Sequence, residues 1–184
     1  LSIVHTLFKA GQIDFDYLIR YTNAPFLING TPNSEKTGLF LKDTNGKPLV
    51  LDKESKKAVP FDEPNIKPNL TGTYTDNNGT HKTVFELMAE KYLSEQYSPT
   101  KTAKIIGIDA DQIVKIAHEL STVAFKEEVT IDQEWTDWKG QRHKQMIGRP
   151  VSFHAMRGIS AHSNGFQTCR SLHLLQLILG SVEV

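Results

Sequence analysis

The sequence predicts an α/β protein, with an open Rossmann-like sheet flanked by helices and a β-hairpin insertion. Three observations support this fold class. Amphipathic helical segments occupy both ends of the chain. A strand-like run at residues 150–155 leads through a glycine-containing loop into a helix of about four turns, as strands of doubly wound sheets do. Between the helical segments, residues 26–81 are rich in Gly, Pro, Asn and Asp and contain two Asn-Gly turn signals.

Composition excludes several classes of protein. The chain has 184 residues, with 21 Lys and Arg against 21 Asp and Glu, so it lacks the basic field that nucleic-acid binding requires, and we expect no nucleic-acid partner. Cys169 is the single cysteine, which excludes an internal disulfide and any iron–sulfur cluster or zinc site held only by thiolates of this chain. The longest apolar stretch, near Leu172–Leu179, is much shorter than the roughly 20 residues of a membrane span.

The helices follow from periodicity and capping residues. Residues 2–9 place apolar side chains on one face, and Gly11 is the expected terminator. Asp14 is the expected cap of a second short helix, which stops before Pro25. Four later segments each combine an apolar face with a cap: residues 82–94, 99–106, 110–125 and 166–179. Ser98 is the expected cap of the second of these, and Asp109 is the expected cap of the third.

Residues 26–81 are predicted to be a surface insertion built from hairpins and loop. The hairpin turns are expected at Asn45-Gly46 and Asn78-Gly79. Between them, residues 53–68 contain three prolines and many charges, so we expect no regular structure there. After the insertion, residues 128–131 are a short strand candidate, and residues 135–148 are expected to form a polar loop.

The loop that precedes the last helix concentrates polar side chains. Its candidate ligand-binding residues are Arg157, Gly158, Ser160, His162, Ser163, Asn164 and Gly165. The polar members suit a phosphate-bearing or heteroaromatic ligand, and the two glycines allow close approach of the backbone. Backbone amides at the start of the following helix favour an anion. No G-x-G-x-x-G fingerprint is present, and a plain polar connection that caps a helix stays open as the alternative.

The other candidate sites have ordinary structural alternatives. A metal cluster can be drawn from four residues: His154, His162, Cys169 and His173. Their spacing does not support it, and a hydrolytic pair of Ser160 or Ser163 with a histidine lacks both a G-x-S-x-G elbow and a nearby acid. Trp135 and Trp138 fit either core packing or an interface.

Three stretches carry a resemblance to a known family. The string GRPVSFHAMRGISAHSNGFQTCRSLHLLQLILGS (residues 148–181) resembles the strand, loop and leucine-rich helix of the molybdopterin oxidoreductases. KTAKIIGIDADQIVKIAHEL (residues 101–120) is similar to a helix pair of that family, and VHTLFKAGQIDFDYLIRYTNAP (residues 4–25) is similar to its passage from a helix into an acidic-aromatic turn. The resemblance weakens over residues 26–80.

The resemblance implies a role in holding a cofactor. In a dimethyl-sulfoxide-reductase-like enzyme with two molybdopterin guanine dinucleotides, residues 1–25 and 82–184 would be part of an α/β domain that cradles the cofactor, with 26–81 as an insertion. The loop from Arg157 to Gly165 would lie along the pterin and diphosphate, where Arg157 would serve as a bidentate donor. The family's iron–sulfur cysteine motif and molybdenum ligand are absent from this sequence, so its catalytic residues are unknown and no metal ligand is assigned.

The resemblance also implies a parent protein. Both ends of the sequence look cut, and we expect an internal fragment of a large catalytic subunit, inactive by itself. The parent would transfer an oxygen atom or electrons to or from a small, possibly sulfur-containing oxyanion. It would carry molybdenum and an iron–sulfur cluster outside this chain. Its partners would be a membrane anchor and an iron–sulfur electron-transfer subunit, on either the cytoplasmic or the periplasmic side. The alternative is a stand-alone α/β anion-binding or interaction domain without redox activity.

Overall fold

The computed structural model describes residues 1–137 and 140–182, which form two compact units. The first unit contains residues 1–14 and the described residues from Leu93 onward, and the second contains residues 15–92. The second unit is wider than the insertion predicted at 26–81, because it includes a helix on either side of that segment. The division into a cofactor-cradling domain and an insertion stays a prediction.

Helices and short strands alternate along the described residues. The helices are α1 Ser2–Ala10, α2 Phe15–Tyr21, α3 Val84–Tyr92, α4 Pro99–Ile106, α5 Ala110–Lys126 and α6 Gly165–Ile178. The strands are β1 Leu27–Ile28, β2 Leu49–Leu51, β3 Ala58–Pro60, β4 Thr73–Asp76, β5 Gly79–Thr83, β6 Val129–Ile131, β7 Trp135–Thr136, β8 Arg142–His143 and β9 Met146–Gly148. Every predicted helix is confirmed, and the ends of the last four differ from the prediction by at most two residues. None of the described helices has the length and apolar content to cross a bilayer.

The mixed α/β class is confirmed, but the sheets differ from the expected form. The described strands pair only antiparallel, in one sheet of three strands and three sheets of two, so these residues do not form an open Rossmann-like sheet. The strand predicted at residues 150–155 is not formed. Val151 and Phe153 have the strand pattern, but no neighbouring strand in the described chain supplies hydrogen-bond partners for their backbone.

In the first unit, α1 packs against α4 and α5, and α4 packs against α5. The buried apolar residues that α1 and α5 contribute to the core of this unit are at most 9% exposed: Val4, Leu7, Phe8, Ile113, Ala117 and Ala124. Gly11 ends α1 in the left-handed conformation with φ 65°, as predicted. The C-terminal end of α6 is buried through Leu175, Ile178 and Leu179.

In the second unit, β5 is the central strand between β1 and β4. The predicted β4–β5 hairpin is present, but its two-residue turn is Asn77-Asn78, one position earlier than predicted, because Gly79 is already paired opposite Asp76 as the first residue of β5. The turn predicted at Asn45-Gly46 is also present, closed by a hydrogen bond of 2.9 Å from Asp43 N to Lys47 O. β2 pairs with β3.

Residues 53–68 are more regular than predicted, because they contain β3. None of them is buried, so apolar burial does not explain their order. Hydrogen bonds to Asp52 order this segment instead. The Asp52 carboxylate accepts from Ser55 N and Oγ, both at 2.7 Å, and from Lys67 N at 2.9 Å. The backbone bond from Ser55 and then that from Lys67 lower the pKa of Asp52 to about 2.

His81 is fully buried in this sheet. Its Nδ1 accepts a hydrogen bond of 3.1 Å from Gly30 N, and its Nε2 lies 3.2 Å from Asp76 Oδ1. Because Nδ1 accepts, the ring is neutral with its proton on Nε2, which donates to Asp76. The backbone bond from Asn78, followed by the bond from His81, lowers the pKa of Asp76.

Candidate functional site

The loop that precedes α6 forms one continuous exposed turn of the first unit. Arg157–Ser160 is a single turn of 3₁₀ helix in which Ser160 Oγ donates to Arg157 O at 2.9 Å. The chain then reaches α6, where Gly165 N donates to His162 O at 2.9 Å. The loop is therefore ordered by its own short-range hydrogen bonds.

The polar side chains of this loop are directed to solvent. All five polar candidates are exposed: Arg157, Ser160, His162, Ser163 and Asn164. Within the part of the chain that the structure describes, the side chains of Arg157, His162, Ser163 and Asn164 form no hydrogen bond or ion pair. Five exposed polar groups are therefore present within eight consecutive residues.

The two loop glycines occupy different environments. Gly165 is buried, and a Cβ there would lie 2.0 Å from Ser160 O, so the backbone of the 3₁₀ turn packs directly against the start of α6. A Cβ at Gly158 would meet nothing within 4 Å. Gly165 is required by packing within the chain, whereas Gly158 has open space beside it.

The donor set of this loop fits a phosphate-bearing group. A guanidinium, an imidazole, hydroxyls and an amide all donate hydrogen bonds, and residues 157–165 contain no carboxylate that would repel an anion. The loop leads into the N-terminus of α6, a helix of 14 residues whose dipole adds partial positive charge at this end. Asn164 precedes that helix but makes no side-chain capping bond, so its amide is available to a ligand.

The other sequence candidates occupy ordinary positions. The described residues contain no group of three or more His, Cys, Asp or Glu side chains placed to hold a metal ion. Cys169 is half-buried on α6, and His173 Nδ1 lies 3.1 Å from Gln176 Oε1 on the same helix. Trp135 is partly exposed, stacks on His143 and donates from Nε1 to Gln145 O at 3.0 Å, while Trp138 lies outside the described residues.

One cluster near the loop segment was not found from the sequence. Arg149 forms an ion pair with Asp14, donates from Nη1 to Ala124 O at 2.7 Å, and lies over the Phe125 ring at 4.9 Å from the centroid. Asp14 and Arg149 are 135 positions apart, so no local motif links them, and the sequence pattern marks Asp14 only as a helix cap. Only an alignment that shows the two positions varying together would have identified the pair.

The chain is similar to part of two dehydrogenase subunits. It is 37% identical over 193 aligned positions to a sulfite dehydrogenase subunit of Allochromatium vinosum, covering 100% of this chain and 20% of that protein. It is 25% identical over 183 positions to the formate dehydrogenase major subunit of Haemophilus influenzae, covering 99% of this chain and 15% of that protein. No family model matches the chain.

The comparisons therefore place this chain among relatives that are oxidoreductase subunits. The chain spans a fifth or less of the length of these relatives. The similarity extends through residues 26–80, where the sequence motifs alone were weakest, because the alignment with the sulfite dehydrogenase subunit covers the whole chain.

Proposed function

We propose that this chain is an internal piece of the catalytic subunit of a molybdopterin oxidoreductase and forms part of its molybdopterin guanine dinucleotide cradle. The observation that carries the proposal is the 37% identity to the sulfite dehydrogenase subunit over the entire chain. The donor-rich loop before α6 supports it, because its exposed side chains have the chemistry that a diphosphate requires.

Each loop residue has a proposed task. Arg157 provides a bidentate, charge-assisted donor to a phosphate oxygen. His162, Ser163 and Asn164 donate single hydrogen bonds to phosphate or to the polar edge of the pterin. The Ser160 hydroxyl, whose proton bonds to Arg157 O, stabilises the 3₁₀ turn that carries Arg157. Gly158 allows the ligand to approach the backbone, since the space beside it is open. When bound, the cofactor supplies the redox chemistry, and the task of these residues is to hold and orient it.

The proposed substrate is a small sulfur oxyanion of the sulfite type, which the parent enzyme would oxidise or reduce by oxygen-atom or electron transfer. The name of the relative with 37% identity supports this choice. The proposed parent also carries an iron–sulfur cluster outside this chain, because one cysteine cannot hold it. Its proposed partners are a membrane anchor, which would hold it at a membrane surface, and an iron–sulfur electron-transfer subunit.

Arg157→Ala in the complete parent tests the proposal. Loss of a charge-assisted bond worth about 1.5–3 kcal/mol should weaken cofactor retention by roughly tenfold to a hundredfold. Arg170→Ala is the matched control, because Arg170 is an exposed arginine on α6 outside the loop, and Cys169→Ala tests packing alone. Guanine nucleotide content and turnover are measured for variants with a normal melting temperature.

The result also separates this proposal from a stand-alone anion-binding domain. If Arg157→Ala keeps full cofactor and full turnover, the loop is a connection and the proposed cradle is wrong. If the complete protein contains no guanine nucleotide at all but its loop binds phosphate, the stand-alone anion-binding domain is the better description.

A further inference from the structure

We propose that Asp14 is a positioning residue that fixes both ends of the segment from Arg149 to Gly180, and thereby sets the placement of the loop from Arg157 to Gly165. This inference rests on the proposed function, because it assigns to that loop a support remote from its own residues. Asp14 itself lies outside the loop, in the connection that follows α1.

The start of the segment is held through Arg149. Its guanidinium joins the Asp14 carboxylate to the backbone carbonyl of Ala124, near the end of α5, and packs over Phe125. The Asp14 side chain is 13% exposed and that of Arg149 is 27% exposed, so water screens this pair less than a surface ion pair. The Arg149 guanidinium therefore bonds both the Asp14 carboxylate and the Ala124 carbonyl, and these two bonds fix the position of the chain where it leaves β9.

The end of the segment meets the same aspartate. Asp14 N donates to Ile178 O, in the last turn of α6, at 2.8 Å. Gly180 has φ 62°, and a Cβ there would lie 2.5 Å from Asp14 Oδ2 and 3.0 Å from Asp14 Cβ. Glycine is thus required by backbone conformation and by the proximity of the Asp14 side chain.

The uneven burial of α6 makes this distant support effective. The C-terminal part of the segment is buried at Leu175, Ile178 and Leu179, whereas residues 166–168 are exposed and Phe166 is 75% exposed. Few contacts of its own hold the N-terminal half of the helix. Since a helix of 14 residues is a stiff rod about 21 Å long, the position of its first turn follows from the anchoring of its last turn.

The loop is coupled to that rod by direct contact. Gly165 packs against the carbonyl of Ser160, so a displacement of the first turn of α6 displaces the 3₁₀ turn that carries Arg157. The sequence of contacts from Asp14 to Gly180, along α6, and from Gly165 to Ser160 is continuous. Asp14 therefore acts on the loop through α6 and touches none of the proposed ligand-binding side chains.

Amide hydrogen exchange of the complete protein, read by mass spectrometry, tests this inference. Asp14→Asn should raise exchange in residues 157–168 and 175–181 by about tenfold, because a partly buried charge-assisted bond that restrains local opening is lost. The matched control is Asp62→Asn, which removes another aspartate ion pair, with Lys47 at 2.6 Å, that is exposed in the second unit. The control should leave both peptides unchanged.

A second variant keeps the test decisive if Asp14→Asn does not fold. Arg149→Lys retains the charge beside Asp14 but cannot bond Asp14 and Ala124 O together in one planar fork, so exchange in the same peptides should rise to an intermediate level. Unchanged exchange at residues 157–168 in the variants that fold would overturn the inference. An equal rise at residues 73–83 would also overturn it, since that pattern indicates general destabilisation.

The cofactor measurements separate the two proposals. If Arg157→Ala loses guanine nucleotide while Asp14→Asn leaves loop exchange unchanged, only the positioning role fails. If Asp14→Asn loosens the loop and lowers guanine nucleotide content in parallel, both proposals are supported. If Arg157→Ala keeps its nucleotide, the cradle fails, and with it any role of Asp14 toward a cofactor.

Discussion

Gly158 and Gly165 have the same interpretation from the sequence but different surroundings in the structure. Gly158 and Gly165 were both predicted to let the backbone approach a ligand. The structure shows that only Gly158 has open space where a side chain would be, because Gly165 packs against Ser160. Glycine is required at residue 165 by packing within the protein. At residue 158, the space that a side chain would fill is open to a ligand.

Substitution by alanine should therefore lower the stability at residue 165 and leave it nearly unchanged at residue 158. Gly165→Ala should destabilise the first unit by about 1–3 kcal/mol, since Ser160 must move to admit the new Cβ. Gly158→Ala should change stability by no more than about 0.5 kcal/mol, because its Cβ meets nothing. Denaturant titration of the two variants measures both values. A Gly165→Ala variant as stable as wild type would show that the close contact with Ser160 relaxes freely.

Gly158→Ala has a separate consequence for ligand binding. If a ligand lies against the backbone at residue 158, this variant should lose cofactor in the complete parent despite its normal stability. Normal nucleotide content would place the ligand elsewhere along the loop.

The stability of the second unit should depend on pH through Asp52. Its folded pKa of about 2 lies below the ordinary value of 3.8, so the stabilisation it provides is fully present above pH 4 and is lost as pH falls toward 2. The stability difference between wild type and Asp52→Asn should shrink across that range. Denaturation midpoints at a series of pH values measure it, with Glu63→Gln, an exposed acid of the same region, as control. A difference independent of pH would contradict this account.

Residue-scale prediction from the sequence succeeded where residues are contiguous. The candidate loop was recognisable because its donors lie within eight positions, although their role as a cofactor cradle stays a proposal. Asp14 and Arg149 were missed as a pair because their contact depends on where α1, α5 and α6 meet, which no local pattern records.

Among the helices, the two caps predicted for α4 and α5 differ in what their side chains do. Ser98 Oγ accepts a hydrogen bond from Lys101 N at 3.3 Å, whereas the Asp109 side chain makes no capping bond. Ser98→Ala should cost about 1 kcal/mol and Asp109→Ala only a few tenths. Thermal and denaturant melts of both variants provide the measurement. Equal losses would show that the charge of Asp109 stabilises α5 as strongly as the Ser98 bond stabilises α4.

Helices were predicted more accurately than strands for a physical reason. A helix satisfies its hydrogen bonds within its own segment, so capping residues and an apolar face define it locally. The segment 135–148, predicted as a polar loop, instead contains β7, β8 and β9, and β9 pairs with β6 rather than with its sequence neighbour. Conversely, Val151 and Phe153 have a strand pattern without a strand partner.

At the scale of the whole molecule, compact units arise from long-range pairing. The second unit extends to residues 15–92 because Phe15 of α2 contacts Phe85 of α3, with ring centroids 5.9 Å apart, and because α3 follows directly from β5. Composition identified the polar segment between these helices. It could not show that the flanking helices belong to the same unit.

The isolated chain should copurify with neither molybdenum nor iron in stoichiometric amounts. One cysteine is too few for a cluster, and the described residues bring no metal-binding group of three or more side chains together. Elemental analysis by mass spectrometry decides this, with the complete parent purified in parallel as the positive control. Near-equimolar molybdenum in the isolated chain would mean that this segment alone suffices to hold the metal cofactor.

The buried imidazole of His81 has a consequence for the order of folding. The β4–β5 hairpin closes through a local turn and can form early, but Gly30, which donates to the ring, is 51 positions away in sequence. A slip of one residue would turn His81 toward the opposite face and leave both Gly30 N and Asp76 without it. An incorrectly registered hairpin therefore loses the bond to Asp76 at once. It loses the bond from Gly30 only when the chain around β1 docks, so the late long-range step selects a second time for the correct alignment.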